Sequence, residues 1–140
     1  MSDMKDIVYY FPWPPTMNSY YSHTRNGVFI SKKGRLYRES ISESAHEQSP
    51  GGPPRLGVPL AMTVYLFPPD KRKRDLDNHM KALQDAMTQC GIWEDDSLVD
   101  QLYIFRGSVV PKGSVIVYLR EGGPVIPIEY VEQLIEDGAL

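Results

Sequence analysis

The sequence predicts a small α+β fold in which two main helices pack on a mixed β-sheet. Residues 58–67 alternate along a strand and carry apolar side chains on both faces, which is typical of a central strand. Apolar residues then recur every three or four positions from Leu76 to Cys90, which predicts an amphipathic helix. Residues 102–106 return to a strand pattern. Strand, helix and strand therefore form a unit with parallel strands and a right-handed crossover.

The other elements follow from local signals. Ser31 is a suitable N-cap for a helix over residues 32–48. Pro111, Lys112 and Gly113 separate two strand patterns and predict a hairpin between them. The remaining expectations, in chain order, are a strand at 6–11, a proline stop at 12–15, a loop at 18–27, a short edge strand at 28–30, a loop at 49–54, a strand at 114–120 and a final helix at 127–138.

Length and composition narrow the class of protein. The chain has 140 residues, 41% of them hydrophobic and 24% charged, which fits one ordinary globular domain. No apolar run reaches the roughly 18 residues that a membrane-spanning helix needs. A single cysteine, Cys90, offers neither an internal disulfide nor a zinc motif. With no secretory signal at the N-terminus, we expect a cytoplasmic protein.

Charge is unevenly distributed along the chain. The formal net charge is −3, from 15 basic and 18 acidic residues. Residues 121–140 contain five acids and no base, so residues 1–120 carry a net +2. We therefore divide the chain into a domain at 1–120 and an acidic C-terminal extension at 121–140. The five acids of the extension are Glu121, Glu129, Glu132, Glu136 and Asp137.

Four consecutive cations stand directly before a pair of aspartates at the start of the second helix. The cations are Lys71, Arg72, Lys73 and Arg74, and the aspartates are Asp75 and Asp77. Lys81 lies one helical turn beyond Asp77, on the same helix face. A second acidic group, Glu94, Asp95 and Asp96, follows the helix. Phosphates bind to lysine and arginine and carboxylates bind Mg²⁺, so this combination suits a metal-dependent nuclease.

Spacing alone does not bring Asp96 to the start of the helix. A helix of about 15 residues is roughly 22 Å long, so Asp96 reaches Asp75 only if the chain turns back along it. A simpler interpretation also stays open. In it, Asp75 or Asp77 caps the helix, and residues 94–96 form a solvated turn.

Several other side chains have structural interpretations. His79 is expected to be a surface or packing residue rather than a general base, and Cys90 to lie in the core. Asp85 is expected to form a salt bridge. Trp13 is expected to anchor the proline segment, with a role facing DNA or a partner as the alternative. Three aromatic residues near the N-terminus are candidate contacts to phosphates or bases, although packing on the sheet explains them equally well. These are Tyr20, Tyr21 and His23.

These motifs together resemble the RusA family of Holliday-junction resolvases, over about residues 7–120. The matching segments are Pro-Trp-Pro-Pro at 12–15, the stretch Lys-Gly-Arg-Leu-Tyr-Arg at 33–38, the block Arg-Asp-Leu-Asp-Asn at 74–78 and the pattern Gly-Ile-Trp-x-Asp-Asp at 91–96. The sequence departs from the family pattern at Glu94 and in the acidic extension.

The resemblance implies an α+β homodimer that binds four-way DNA junctions and nicks two strands symmetrically, in DNA recombination and repair. Its cofactor would be Mg²⁺, with Mn²⁺ as a substitute, held by three aspartates that map onto Asp75, Asp77 and Asp96. The family's functional lysine maps onto Lys81. The resemblance thus supplies the pairing of Asp96 with the helix start, by a chain reversal after Trp93 or across the dimer. Lys71, Arg72, Lys73 and Arg74 would hold the DNA backbone.

Two further functions stay open on the sequence. One is a non-catalytic dimer that binds junction or duplex DNA. The other is an adaptor that binds proteins through residues 12–15 and the acidic tail. Neither requires Mg²⁺, so a junction-cleavage assay with and without the metal separates them from a nuclease.

Overall fold

A computed structural model describes residues 7–122 and 128–138. The strands are β1 (Ile7–Phe11), β2 (Tyr21–Thr24), β3 (Gly27–Ile30), β4 (Leu60–Phe67), β5 (Val99–Arg106) and β6 (Ser114–Glu121). The helices are α1 (Met17–Tyr20), α2 (Lys32–Gln48), α3 (Met80–Gln89) and α4 (Ile128–Glu136). None of these helices is long and apolar enough to cross a membrane. Asp6 and Pro127, which the predicted strand and final helix included, lie outside the described residues.

The main sheet is mixed and has the strand order β1-β6-β4-β5. β4 is central, as its two apolar faces predicted. It pairs in parallel with β5 and antiparallel with β6. Its inner face buries Leu60, Met62, Val64 and Leu66 almost completely. These side chains pack with the buried residues of β1, β6, α2 and α3 in one hydrophobic core.

The predicted strand–helix–strand unit is present, and its helix starts later than expected. Leu76–His79 forms a turn of 3₁₀ helix, and α3 begins at Met80. Met80, Leu83 and Met87 are buried, so the predicted apolar stripe is the face that packs on the core. Gly91 ends the helix with a φ of 86°, a conformation that favours glycine at this position.

Helix α2 has the predicted bounds, and the predicted N-cap residue Ser31 caps its start. The Ser31 hydroxyl accepts a hydrogen bond from the Gly34 backbone N–H at 2.9 Å. Gly34 is required for close packing, since a Cβ there would lie 2.8 Å from Cγ1 of Ile30 and closer still to the Tyr20 carbonyl oxygen. The helix is thereby pressed against the end of α1.

Two sequence expectations were wrong. The segment 18–27 is not a loop but contains α1 and β2, and β2 pairs with β3 in a separate two-stranded sheet. Residues 102–120 do not form a hairpin, because β4 lies between β5 and β6. The connection instead passes the end of β4, where the backbone N–H groups of Gly107 and Val110 donate to the carbonyls of Leu66 and Pro68.

One face of the main sheet keeps large aromatic side chains exposed. Tyr65 on β4 stacks on Phe105 of β5 and meets Tyr118 of β6 edge-on. Phe105 keeps 47% of its surface exposed, and Tyr10 on β1 keeps 59%. We call this the outer face of the sheet. A contiguous exposed aromatic surface of this kind is typical of a binding interface.

Candidate functional site

Asp75 and Asp77 are both exposed at the beginning of the 3₁₀ turn that leads into α3. Asp75 occupies the N-cap position, but its carboxylate accepts no capping hydrogen bond. Asp77 lies within the turn, where its carbonyl oxygen, not its carboxylate, accepts a hydrogen bond from the Met80 N–H. The capping interpretation is thus confirmed in the position of Asp75, but neither carboxylate makes the capping hydrogen bond that it implied.

The chain turns back along α3 after Trp93. Leu56 pairs with Trp93 in an isolated bridge, and the Trp93 indole N–H donates to the Thr88 hydroxyl at 2.6 Å. A second 3₁₀ turn, Asp96–Leu98, then lies against α3 before β5 begins. The chain thus passes α3 again after Trp93, but among the described residues it does not bring Asp96 together with Asp75 and Asp77 in a metal-binding cluster. The Glu94 carboxylate lies against Gly57.

Lys81 and Tyr21 connect the returning acidic residues to the helix. The pKa of Asp95 is lowered, chiefly because the Ser97 hydroxyl donates a hydrogen bond to it, and the Lys81 ammonium contributes in the same direction. Burial raises the pKa of Tyr21, and the carboxylates of Asp85 and Asp96 raise it further while Lys81 opposes them. Lys81, Tyr21 and the acidic turn therefore lie within electrostatic reach of one another.

A hydrogen-bonded cluster of Arg38, Asp85 and Tyr20 joins α2, α3 and the end of α1 beside Tyr21. Arg38 of α2 forms an ion pair with Asp85 of α3, with 2.7 Å between Nη2 and Oδ2. The Tyr20 hydroxyl donates to the same carboxylate oxygen and accepts a hydrogen bond from Arg38 Nε. Burial is the main reason that the pKa of Tyr20 is raised, and its bond to Asp85 adds to the effect. Asp85 is thus a salt-bridge residue, as predicted, with its partner on another helix.

The four consecutive cations are not equivalent. Lys71, Arg72 and Lys73 are exposed, whereas the Arg74 side chain is only 16% exposed. Arg74 binds Asp70, with 2.8 Å between Nη1 and Oδ1, and its guanidinium lies 5.8 Å from the centre of the Trp13 ring. The pKa of Asp70 is held well below its usual range by Arg74 first and Arg72 second. Arg72 also pairs with Asp70, at 3.0 Å between Nη2 and Oδ2, although its side chain stays 80% exposed. Among the described residues, Lys71 and Lys73 are the exposed cations of this segment that form no ion pair.

The sequence interpretation missed Arg106 at the end of β5. Its guanidinium donates to the Arg74 carbonyl oxygen at 2.8 Å, and it lines a cleft of about 450 Å³ with residues 71–74. The signal was available, because the carboxyl ends of parallel β4 and β5 meet at one edge of the sheet. Arg106 ends one of these strands, and the cationic segment follows the other.

His79 and Trp13 pack together beside the helix start. His79 is 3% exposed, and its Nδ1 donates to the Pro14 carbonyl oxygen at 2.9 Å. The Trp13 ring lies over it, with 4.7 Å between the ring centres. Burial lowers the pKa of His79 below its usual value. Both residues thus pack as the sequence predicted, and they pack at the edge of the candidate site.

The donor chemistry at Asp75, Asp77 and Asp96 suits a hard divalent cation. In the part of the chain that the structure describes, none of the three carboxylates takes part in a hydrogen bond or an ion pair. Carboxylate oxygens are the ligands that Mg²⁺ prefers in proteins. Among the same residues, no three His, Cys, Asp or Glu side chains converge closely enough to hold a metal ion.

Exposed carboxylates, a neighbouring lysine and a cationic segment define the kind of site that phosphodiester-cleaving enzymes use. Comparison with known proteins agrees. The sequence model of the endodeoxyribonuclease RusA family matches residues 12–118, and the chain belongs to this family.

Curated relatives carry the same family name. The chain is 34% identical over 116 residues to the crossover junction endodeoxyribonuclease RusA of Escherichia coli strain K12. It is 35% identical to the proteins of the same name from Shigella sonnei strain Ss046 and Enterobacteria phage 82. Each match covers 80% of this chain and 92% of the relative.

Proposed function

We propose that this chain is a Holliday-junction resolvase, which binds four-way DNA junctions and cleaves two strands by paired nicks. Membership of a family of crossover junction endodeoxyribonucleases is the observation that carries this proposal. The exposed carboxylates and cations at the start of α3 support it. Since the curated relatives are named as endodeoxyribonucleases, the expected substrate is DNA.

Asp75, Asp77 and Asp96 are the proposed ligands of a divalent cation, Mg²⁺ or in its place Mn²⁺. When bound, such an ion lowers the pKa of water and polarises the phosphate. The free state of all three carboxylates supports this assignment. Their convergence would require either a movement of the Asp96–Leu98 turn along α3 or a contribution from a second copy of the chain.

The proposed roles of the cations follow from their exposure. Lys81 is an exposed ammonium one turn after Asp77, where it would stabilise negative charge that develops on the phosphate oxygens. Lys71, Arg72 and Lys73 would bind the backbone of the DNA. Arg74 would contribute less directly, because Asp70 already neutralises it. Its proposed role is to hold the cationic segment in shape.

A homodimer is the proposed assembly. A four-way junction has approximate two-fold symmetry, so a C₂ dimer presents one equivalent site to each of two strands. The exposed aromatic outer face of the sheet, with Tyr10, Phe105 and Tyr118, supports an interface there. Phe105→Asp should then yield a monomer in sedimentation experiments, with Val28→Asp on the β2–β3 hairpin as the matched control.

The decisive experiment measures binding and cleavage separately on a synthetic four-way junction. In Mg²⁺, Asp75→Asn and Asp77→Asn should each reduce cleavage below detection. In EDTA they should bind the junction as tightly as the unchanged protein, since the cations dock the DNA. Asp100→Asn, an exposed aspartate on β5, is the control and should retain both properties. Loss of binding together with cleavage in the first two variants would contradict the ligand assignment.

Lys81→Ala tests the remaining catalytic role. It should reduce the cleavage rate by about two orders of magnitude, the usual effect of removing one electrostatic stabiliser, with little change in binding. Lys112→Ala, at an exposed turn before β6, is the matched control. An equal loss of cleavage and binding in Lys81→Ala would assign Lys81 to DNA docking instead.

A further inference from the structure

A continuous groove leads from Asp75 to the proline segment at residues 12–15. Two adjoining cavities form it, one of about 430 Å³ at Asp75 and one of about 520 Å³ beside the prolines. The two cavities share four lining residues, namely Thr16, Arg72, Arg74 and His79. A molecule bound at Asp75 therefore has direct access to the space beside Trp13.

The walls of the inner cavity combine an apolar surface with cations. Trp13 and the prolines line it together with Leu36 of α2, which keeps 52% of its surface exposed. Lys33 and Arg72 are exposed at the rim. A flat apolar group with an attached anion matches this arrangement. A nucleotide has both parts, and the volume lies within the range of small-ligand sites.

His79 adds a polar requirement at the floor of the groove. The Nδ1 atom of His79 donates to the Pro14 carbonyl oxygen, so Nε2 is the ring nitrogen that is left for another partner. Nε2 is buried and has no hydrogen-bond partner among the described residues. Buried polar atoms without partners are rare in folded proteins. A small movement of Trp13 would open Nε2 to a hydrogen-bonding group of a bound base.

We propose that the groove binds the nucleotide next to the scissile phosphate after it has unstacked from its neighbours. Its base lies against Trp13 and Leu36, and its outer phosphate lies at Arg72. This inference rests on the proposed function, and it assigns a binding role to residues 12–15 that junction cleavage alone does not require. Unstacking is cheapest where the regular stack is already interrupted, as it is at the crossover of a junction.

The test first removes the base from the DNA and then removes the side chains that line the groove. The cleavage position is first mapped in Mg²⁺, and junctions are then made with an abasic nucleotide on either side of that position. Binding is measured in EDTA. The unchanged protein should lose about tenfold in affinity for one of these two junctions, in line with the contribution of one base stacked on an aromatic side chain. An abasic nucleotide three positions further away should have no effect.

Protein variants show whether the base that the abasic junction lacks normally binds in the groove. Leu36→Ala and Trp13→Ala should bind the intact junction more weakly, and the abasic substitution should then cost them less than threefold. Leu36 is exposed, so its variant keeps the inference testable if Trp13→Ala fails to fold. Phe29→Ala, an exposed aromatic residue on β3, is the control and should show the full tenfold loss.

The outcomes separate the groove from the proposed function. If the unchanged protein cleaves the junction but is indifferent to both abasic substitutions, the groove does not bind a base and the inference is overturned. It is equally overturned if Leu36→Ala and Trp13→Ala both show the full tenfold loss. A protein that neither prefers junction to duplex nor cleaves it contradicts the proposed function itself.

Discussion

Replacing Asp85 by asparagine should destabilise the protein measurably, because three donors converge on one of its carboxylate oxygens. Arg38 Nη2 and Nε lie 2.7 and 3.1 Å from Oδ2, and the Tyr20 hydroxyl donates to it as well. Asp85→Asn keeps the shape of the side chain but removes its charge, leaving the Arg38 guanidinium without a counter-ion.

The size of the effect follows from the exposure of the pair. The Arg38 and Asp85 side chains are 29% and 19% exposed, which lies between surface and interior. Exposed ion pairs contribute about 0–1 kcal/mol, and breaking a fully buried pair costs about 3–5 kcal/mol. We therefore expect a loss of about 2 kcal/mol in the free energy of unfolding. For a chain of 140 residues this lowers the Tm by about 7 °C.

Thermal unfolding followed by circular dichroism checks this value. Arg72→Gln is the matched control, since it breaks the Arg72–Asp70 pair, whose arginine side chain is 80% exposed. We expect it to change the Tm by no more than about 2 °C. Arg38→Met should remove most of the effect of Asp85→Asn when the two are combined. A decrease of less than about 2 °C for Asp85→Asn, or full additivity with Arg38→Met, would refute the reasoning.

Three further predictions concern packing, alkaline pH and the tail. Gly34→Ala should lower the free energy of unfolding, measured in urea, by about 1–2 kcal/mol, because the new Cβ collides with Ile30 and the Tyr20 carbonyl oxygen. The collision should outweigh the higher helix propensity of alanine. A stabilised variant would contradict the close packing at this position. Burial raises the pKa of Tyr37 well above its ordinary value, so the unfolded chain loses this proton first and stability should fall as the pH rises above about 10. The fall should be smaller in Tyr37→Phe, and an equal fall in both proteins would show that the Tyr37 hydroxyl is accessible. Removing residues 123–140 should raise affinity for junction DNA at low salt, since four carboxylates are lost, and the gain should vanish at high salt; an unchanged affinity would show that the tail lies far from the DNA.

Sequence patterns were sufficient where the signal was local. The start of α2 was predicted because Ser31 caps it through a hydrogen bond three residues away. The central position of β4 was predicted because apolar residues occur on both of its faces, although only the inner face is fully buried. The end of α3 followed from Gly91, whose positive φ few other residues adopt without strain.

Local sequence patterns did not predict which distant strands pair with each other. A turn sequence at residues 111–113 marks a change of direction, but it does not say whether the two flanking strands become neighbours. Here β4 separates them, because β6 meets β4 and β1 while β5 meets only β4. The Arg38–Asp85 ion pair could not be predicted from the sequence for a similar reason. Asp85 was expected to form a salt bridge, but no spacing rule identifies a partner on another helix.

The candidate site was predicted in its residues more fully than in its geometry. The pattern of aspartates and cations at 71–77 located the start of α3 as the chemically important segment. The chain reversal that returns Asp96 depends on long-range contacts of Leu56 and Trp93, which no sequence spacing encodes. The convergence of the three aspartates remains a prediction.

The strand order has a consequence for how the protein is made. β1 and β6 come from opposite ends of the domain, with Ile7 paired to Leu119, and β6 lies between β1 and β4. On the ribosome, the amino-terminal strand therefore has no partner in the main sheet until residues 114–121 have been synthesised. Such distant pairing slows folding. It also means that a chain lacking residues 114–121 has neither the strand that joins β1 to the main sheet nor the antiparallel partner of β4.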